Sequence, residues 1–199
     1  MNPVRLLLLS PLLFAVPLAA QDGRLDARLA PETAREVRLL LDSARTASLP
    51  TEPLIQKALE GQSKNAPPPR IIGAVRLLLG ALRDSRLALG EGASEPELVA
   101  GANALRAGAA PATVSALRRQ RGRDLTVPLS VLTDLVARGV TAAAASKAVS
   151  AMVGDGLPDR DFLLLRTQVE QDIRTGVAPG SALDRRLSGL PAAAPPRQP

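Results

Sequence analysis

The sequence predicts an all-α protein without a β-sheet, made of four to five stacked helical hairpins. Two observations support this fold class. Apolar residues recur at helical spacing along the chain, with no sustained alternation of period two. A short segment that ends one helix and begins the next recurs as well. Hairpins that are apolar on one face bury it by stacking, so we expect a short α-solenoid-like array or an irregular helical bundle.

The recurring segment begins with Gly or Asn, followed by an apolar residue and then by any residue. The fourth position is usually Pro, and another apolar residue stands three positions after it. Successive copies start 31 to 43 residues apart. Gly or Asn tolerates the left-handed conformation that ends a helix, and Pro fits the first turn of the next helix. The first copy has Arg28 in the Gly position, and the fourth has no Pro. The five copies span residues 28–34, 65–71, 108–114, 139–145 and 176–182.

A second pattern marks the start of the other helix of each hairpin. Thr51, Ser94 and Thr126 each stand two residues before a Pro. We expect these hydroxyl side chains to cap their helices, with Pro in the first turn. Ser94 and Glu97 have the spacing of a capping box.

The two patterns divide one helical domain, residues 21–189, into predicted helices. The tail, residues 190–199, is rich in Pro and Ala and is predicted to be disordered. The predicted helices lie near residues 32–46, 52–64, 69–88, 95–107, 111–121, 127–138, 142–153, 159–175 and 179–188, with a further short one at 22–29.

Residues 1–20 predict a secretory signal peptide. A basic start is followed by an apolar run of 15 residues, interrupted by Pro11 and Pro17, and by small residues up to Ala20. A membrane span needs about 20 apolar residues, so we favour cleavage after Ala20 over a retained anchor. No later segment is long and apolar enough to span a membrane. Export without any Cys, in a chain rich in Arg and Ala, indicates a bacterial periplasm or cell envelope.

The composition excludes several classes of function. The chain has no His, Cys, Trp or Tyr, which removes imidazole bases, thiolate nucleophiles and thiolate zinc sites. We therefore predict no catalytic residue, no metal and no cofactor. A hydrolase using distant carboxylates or a Ser–Lys pair, such as Ser63 with Lys64, is the least favoured function. Nucleic acid is disfavoured because stacking with bases needs aromatic side chains. The one aromatic residue after the leader, Phe162, is predicted to lie in the core.

The densest charge in the sequence is an arginine cluster, Arg118, Arg119, Arg121 and Arg123. One interpretation is a contact for an anion or a partner, because clustered guanidinium groups offer many donors. The other is the end of a helix, where cations interact favourably with the carbonyl dipoles and Gly122 ends the helix. The second interpretation is favoured.

An acidic segment contains Asp155, Asp159 and Asp161. Its spacing differs from that of an EF-hand loop, and two of the acids fall in the first turn of a predicted helix. We predict a structural role for these residues and no bound metal.

These observations predict an exported, non-enzymatic helical-repeat protein, an interaction or scaffold module of the bacterial cell envelope. Its expected partner is another envelope protein. The alternatives are a carrier of an apolar ligand or lipid, and an anion-binding module that uses Arg118–Arg123.

Overall fold

The protein is all-helical, as predicted. A computed structural model describes residues 19–122 and 124–189, and none of these residues lies in a strand. Every predicted helix is present, with bounds within three residues of those expected. The ten helices of the described residues are α1 (Ala19–Asp26), α2 (Pro31–Thr46), α3 (Glu52–Ser63), α4 (Pro68–Leu89), α5 (Glu95–Arg106), α6 (Pro111–Gln120), α7 (Thr126–Ala137), α8 (Ala142–Gly154), α9 (Asp159–Arg174) and α10 (Pro179–Ser188).

Two predicted segments lie outside the described residues. These are the tail, residues 190–199, and the signal peptide, residues 1–20, apart from Ala19 and Ala20, which begin α1. Within the described part of the chain, no helix has both the length and the apolar character needed to cross a membrane.

The helices pack in two layers. In one layer α2 packs on α4, α4 on α6 and α6 on α8, and in the other α5 packs on α7 and α7 on α9. Helices α3 and α4, α4 and α5, α7 and α8, and α9 and α10 pack against each other as hairpins. The buried apolar side chains form one continuous core from Leu25 in α1 to Leu183 in α10. Contact between every second helix is the arrangement that stacked hairpins produce.

Six helix ends share one hydrogen-bond pattern. At the end of α7, Gly139 has φ 94° and donates its N–H to the Val136 carbonyl (2.9 Å), while Val140 donates to the Leu135 carbonyl (3.1 Å). This is a Schellman turn, which satisfies carbonyls that the helix end leaves free. The same pattern, with a positive φ at the central residue, occurs at Ser48, Asn65, Gly108, Gly156 and Gly176.

Four of the five predicted helix-ending segments therefore have the expected left-handed residue. The copy at Arg28 is wrong in this respect, because α1 ends through a hydrogen bond from Leu29 N–H to the Leu25 carbonyl (2.8 Å) without a positive φ. Ser48 and Gly156 were not predicted, although each is also followed by an apolar residue and then Pro. A left-handed residue followed by an apolar residue therefore ends helices both at the predicted segments and at the connections that lead into α3 and α9.

The predicted caps are confirmed only in part. Ser94 forms the capping box with Glu97. Thr51 already has helical backbone angles, φ −92° and ψ −27°, and its hydroxyl makes no capping hydrogen bond. Thr126 is the first residue of α7 rather than its cap, and Asp124 Oδ1 accepts the Thr126 N–H (2.9 Å). Thr141, which had no predicted role, caps α8 by accepting the N–H of Ala144 (3.2 Å).

Helices α4 and α5 approach closely at Gly101. A Cβ atom at this position would lie 2.2 Å from Ser85 Oγ, 3.0 Å from Leu89 Cδ1 and 3.4 Å from Ser85 Cβ. Ser85 is fully buried, and its Oγ has no hydrogen-bond partner among the described residues. The Ser85 hydroxyl is therefore the main obstacle to a side chain at Gly101.

Replacing Gly101 tests this close approach. We expect Gly101→Ala to lower the free energy of unfolding by about 1–3 kcal/mol, because the added methyl group overlaps Ser85 Oγ. In a Ser85→Ala background the same change should be neutral or stabilising, since Ala exceeds Gly in helix propensity by up to about 1 kcal/mol. Urea unfolding of the four proteins measures this coupling. An equal loss in both backgrounds would contradict the role of the hydroxyl.

Candidate functional site

Glu97 joins the starts of two helices and the end of a third. Its Oε2 accepts the N–H of Ser94 at the start of α5 (3.0 Å), and its Oε1 accepts the N–H of Leu125 just before α7 (3.0 Å). Oε1 also pairs with the guanidinium of Arg118 near the end of α6. The Glu97 carboxylate is only 5% exposed. Arg118, the first arginine of the cluster, thus has a structural partner.

The pKa of Glu97 reflects these contacts. Burial acts to raise the pKa, but the hydrogen bonds from the backbone of Ser94 and Leu125 and from Arg118 together outweigh it, so the pKa lies below its ordinary value. The folded chain therefore favours the charged carboxylate. Its contribution to stability is fully present above the pKa of an unfolded Glu, about 4.3. It is lost as the pH falls through the lower folded-state pKa.

Glu97→Gln should lower the free energy of unfolding at pH 7 by about 1–3 kcal/mol, because the amide nitrogen cannot accept the hydrogen bonds of the oxygen it replaces. The difference from the natural protein should shrink as the pH falls below about 4, because Glu97 of the natural protein becomes protonated there while the amide of the variant does not change. Urea unfolding at a series of pH values measures it. Glu95→Gln is the control, because Glu95 is exposed and has no ion-pair partner among the described residues. A difference that persists in acid would contradict this account.

Arg121 is buried at the end of α6 and connects to the start of α9. Its side chain is 5% exposed and pairs with Asp159. Its guanidinium carbon lies 5.4 Å from the centre of the Phe162 ring, a cation–π contact. Phe162 is fully buried, which confirms its predicted place in the core. One arginine of the basic cluster therefore pairs with one carboxylate of the acidic segment.

The structure thus separates the four arginines of the predicted cluster. Arg118 and Arg121 pair with carboxylates on two different helices. Arg119 is exposed in the last turn of α6 and has no ion-pair partner among the described residues. Arg123 lies outside the described residues. Anion binding by this cluster stays a prediction, and of the three described arginines only Arg119 could take part without breaking an ion pair.

Single substitutions distinguish these roles. Arg121→Ser should lower the free energy of unfolding by about 1–3 kcal/mol, because it removes the ion pair with Asp159 and the contact with Phe162. Arg119→Ser should change it by less than about 0.5 kcal/mol, as expected for an exposed side chain. Thermal and urea unfolding of both variants provide the measurement. Equal effects at the two positions would contradict the structural role of Arg121.

A groove of about 420 Å³ crosses the starts of α3, α5 and α7. Apolar groups contribute most of its surface, among them Pro50, Pro53, Pro96 and Val99. The three helix starts that the sequence marked with Thr or Ser before a Pro therefore meet at one place. The groove was not predicted from the sequence, because each helix start was interpreted as a local capping signal. The recurrence of that signal in α3, α5 and α7 was the clue that could have shown it.

Polar groups are distributed along the groove. Glu52, which also lines it, pairs with Arg24 at 2.6 Å, whereas Glu95 has no ion-pair partner within the described residues. Asn103 presents an exposed side-chain amide. The Oγ1 of Thr126 is buried in the lining without a hydrogen-bond partner in the described part. The groove can therefore contact apolar groups while offering the Glu95 carboxylate and the Asn103 amide.

The candidate Ser–Lys pair at Ser63 and Lys64 has other partners. Ser63 Oγ donates to the Glu60 carbonyl (2.9 Å), and Lys64 Nζ pairs with Glu60 Oε1 (2.5 Å). Hydrogen bonds from Lys57 and Lys64 lower the pKa of Glu60 to about 2. Both lysines therefore donate hydrogen bonds to this carboxylate. In residues 19–122 and 124–189 no group of three or more His, Cys, Asp or Glu side chains could hold a metal ion.

The comparisons with known proteins give no relative. No protein-family model, curated protein or solved structure matches this chain.

Proposed function

We propose that this protein is an exported, non-enzymatic helical-repeat scaffold of the bacterial cell envelope and that it binds another envelope protein. The proposed contact is the groove across the starts of α3, α5 and α7. One observation carries the proposal: α3, α5 and α7 contribute apolar surface to the same groove, and the exposed Glu95 and Asn103 side chains line it. Export rests on the predicted signal peptide, residues 1–20.

Recurring contacts support the repeat. Side-chain contacts between helices two positions apart join residues separated by 28 to 40 positions, close to the spacing of the helix-ending segments. Between α7 and α9, for example, Asp134 pairs with Arg166 and Arg138 pairs with Glu170, both 32 residues apart. A constant offset along two neighbouring helices is expected when one structural unit stacks on the next.

The groove fits an extended protein segment. Val99 and the prolines offer apolar contact, and Asn103 can both donate to and accept from a peptide backbone. Glu95 adds an exposed carboxylate that has no ion-pair partner in the described part of the chain. We infer that the bound segment carries apolar side chains and at least one Lys or Arg, because a positive charge complements Glu95.

Site-specific cross-linking tests the groove. A photoreactive phenylalanine analogue at Asn103 should cross-link one envelope protein when the full chain is expressed with its own leader. Val99→Asp should reduce that product by roughly tenfold, because it places an uncompensated charge in the apolar wall. The same analogue at Ala151, an exposed residue of α8, is the matched control. The yield of cross-linked partner, identified by mass spectrometry, is the measurement.

Two outcomes would contradict the proposal. If the product forms equally from Asn103 and Ala151, or survives Val99→Asp, the groove is not the contact. If Arg119→Ser abolishes partner binding and Val99→Asp does not, the function moves to the arginine cluster. Circular dichroism of each variant shows whether the fold is retained.

A further inference from the structure

Helix α4 exposes a row of residues that nothing in the described chain covers. Gly73, Leu77, Gly80, Asp84 and Leu87 follow one another at spacings of four and three, so they lie on one face of the helix. We call this row the α4 face. Leu77 is 72% exposed and Leu87 is 83% exposed, and these are the two most exposed large apolar side chains of the described residues.

The α4 face has room for a partner helix. A Cβ atom added at Gly73 or at Gly80 would lie within 4 Å of no atom of the described residues outside the backbone of α4 itself and the neighbouring residues. Glycine in the middle of a helix is less favourable than Ala, and no contact within the described residues requires it at these positions. Another backbone can approach closely at these two positions.

The charges beside this row are placed symmetrically. Arg76 and Asp84 are each four residues from Gly80, on either side of it, and both are exposed without an ion-pair partner among the described residues. Gly73 and Leu87 are likewise each seven residues from Gly80. In an antiparallel helix pair with a two-fold axis at Gly80, a residue before Gly80 lies opposite the residue equally far after it in the other copy.

We propose that the α4 face binds a second copy of this chain, with α4 antiparallel to its counterpart and the two-fold axis at Gly80. In this register Arg76 of each copy pairs with Asp84 of the other, so one contact forms two ion pairs. Leu87 of each copy lies over Gly73 of the other, where no side chain obstructs it. The self-complementary charge and shape favour a second copy over an unrelated partner, because a two-fold interface uses the same patch twice.

Helix α2 extends the proposed interface. Arg83 of α4 donates to Ser43 Oγ of α2 (2.7 Å), and Arg86 donates to the Ser48 carbonyl (3.0 Å), so α2 and α4 run parallel in register. Leu39 is one turn before Ser43 and therefore stands nearly level with Gly80, and it is 59% exposed. An antiparallel second copy would bring the two Leu39 side chains to the same level beside the axis.

A charge exchange tests the proposal. The protein, purified after expression of the full chain, should sediment as a dimer at high concentration. Arg76→Asp and Asp84→Arg should each weaken dimerisation by roughly tenfold, because each turns two attractions into two repulsions. The double variant should restore it. Arg106→Asp and Asp184→Arg, at exposed positions on α5 and α10, are the charge-matched controls and should sediment like the natural protein.

Sedimentation of the natural protein as a monomer over the whole concentration series would overturn the proposal. A dimer that neither single reversal weakens would also overturn it, as would single reversals that the double variant does not rescue. Thermal unfolding of each variant verifies that a loss of dimer is not a loss of fold.

Discussion

The structure depends on the turn that ends its helices. In each of the six Schellman turns one residue takes the left-handed conformation, and the next returns its N–H to the helix it has just left. This turn reverses the chain within a few residues, and a Pro shortly after it often begins the next helix. Short connections of this kind make neighbouring helices antiparallel, so the apolar face of each hairpin can be buried only against the next.

Because these turns are formed by neighbouring residues, the sequence predicted the helices well. It predicted poorly which side chains cap the helices and which form ion pairs between them. Gly139 and Gly176 were predicted from their residue type, but Ser48 adopts the same left-handed conformation without being Gly or Asn. Thr51 was expected to cap α3, yet its backbone is already helical. Such errors arise because a cap depends on backbone angles that the neighbouring hairpin helps to set, and not on residue type alone.

Charge was the least predictable feature, because ion pairs form across the stack. Arg118 to Arg123 is the densest charge in the sequence, but two of its members pair with carboxylates 21 and 38 residues away. Phe162 is the one aromatic side chain of the described residues, and the rest of their core is mainly Leu, Ala and Val. The long side chain of Arg121 covers the Phe162 ring. Charges that are clustered in the sequence of a repeat array can therefore be neutralised by carboxylates of other helices in the stack.

The two proposed surfaces lie on different layers, and this separation has a consequence for binding. The groove is lined by α3, α5 and α7, whereas the α4 face and Leu39 belong to the layer of α2 and α4. A dimer formed through α4 would leave both grooves open. Two identical grooves held at a fixed distance can bind two segments of one partner or of neighbouring partners. The second binding event is then intramolecular, so a groove with weak affinity for a single segment can still hold a partner that presents two such segments.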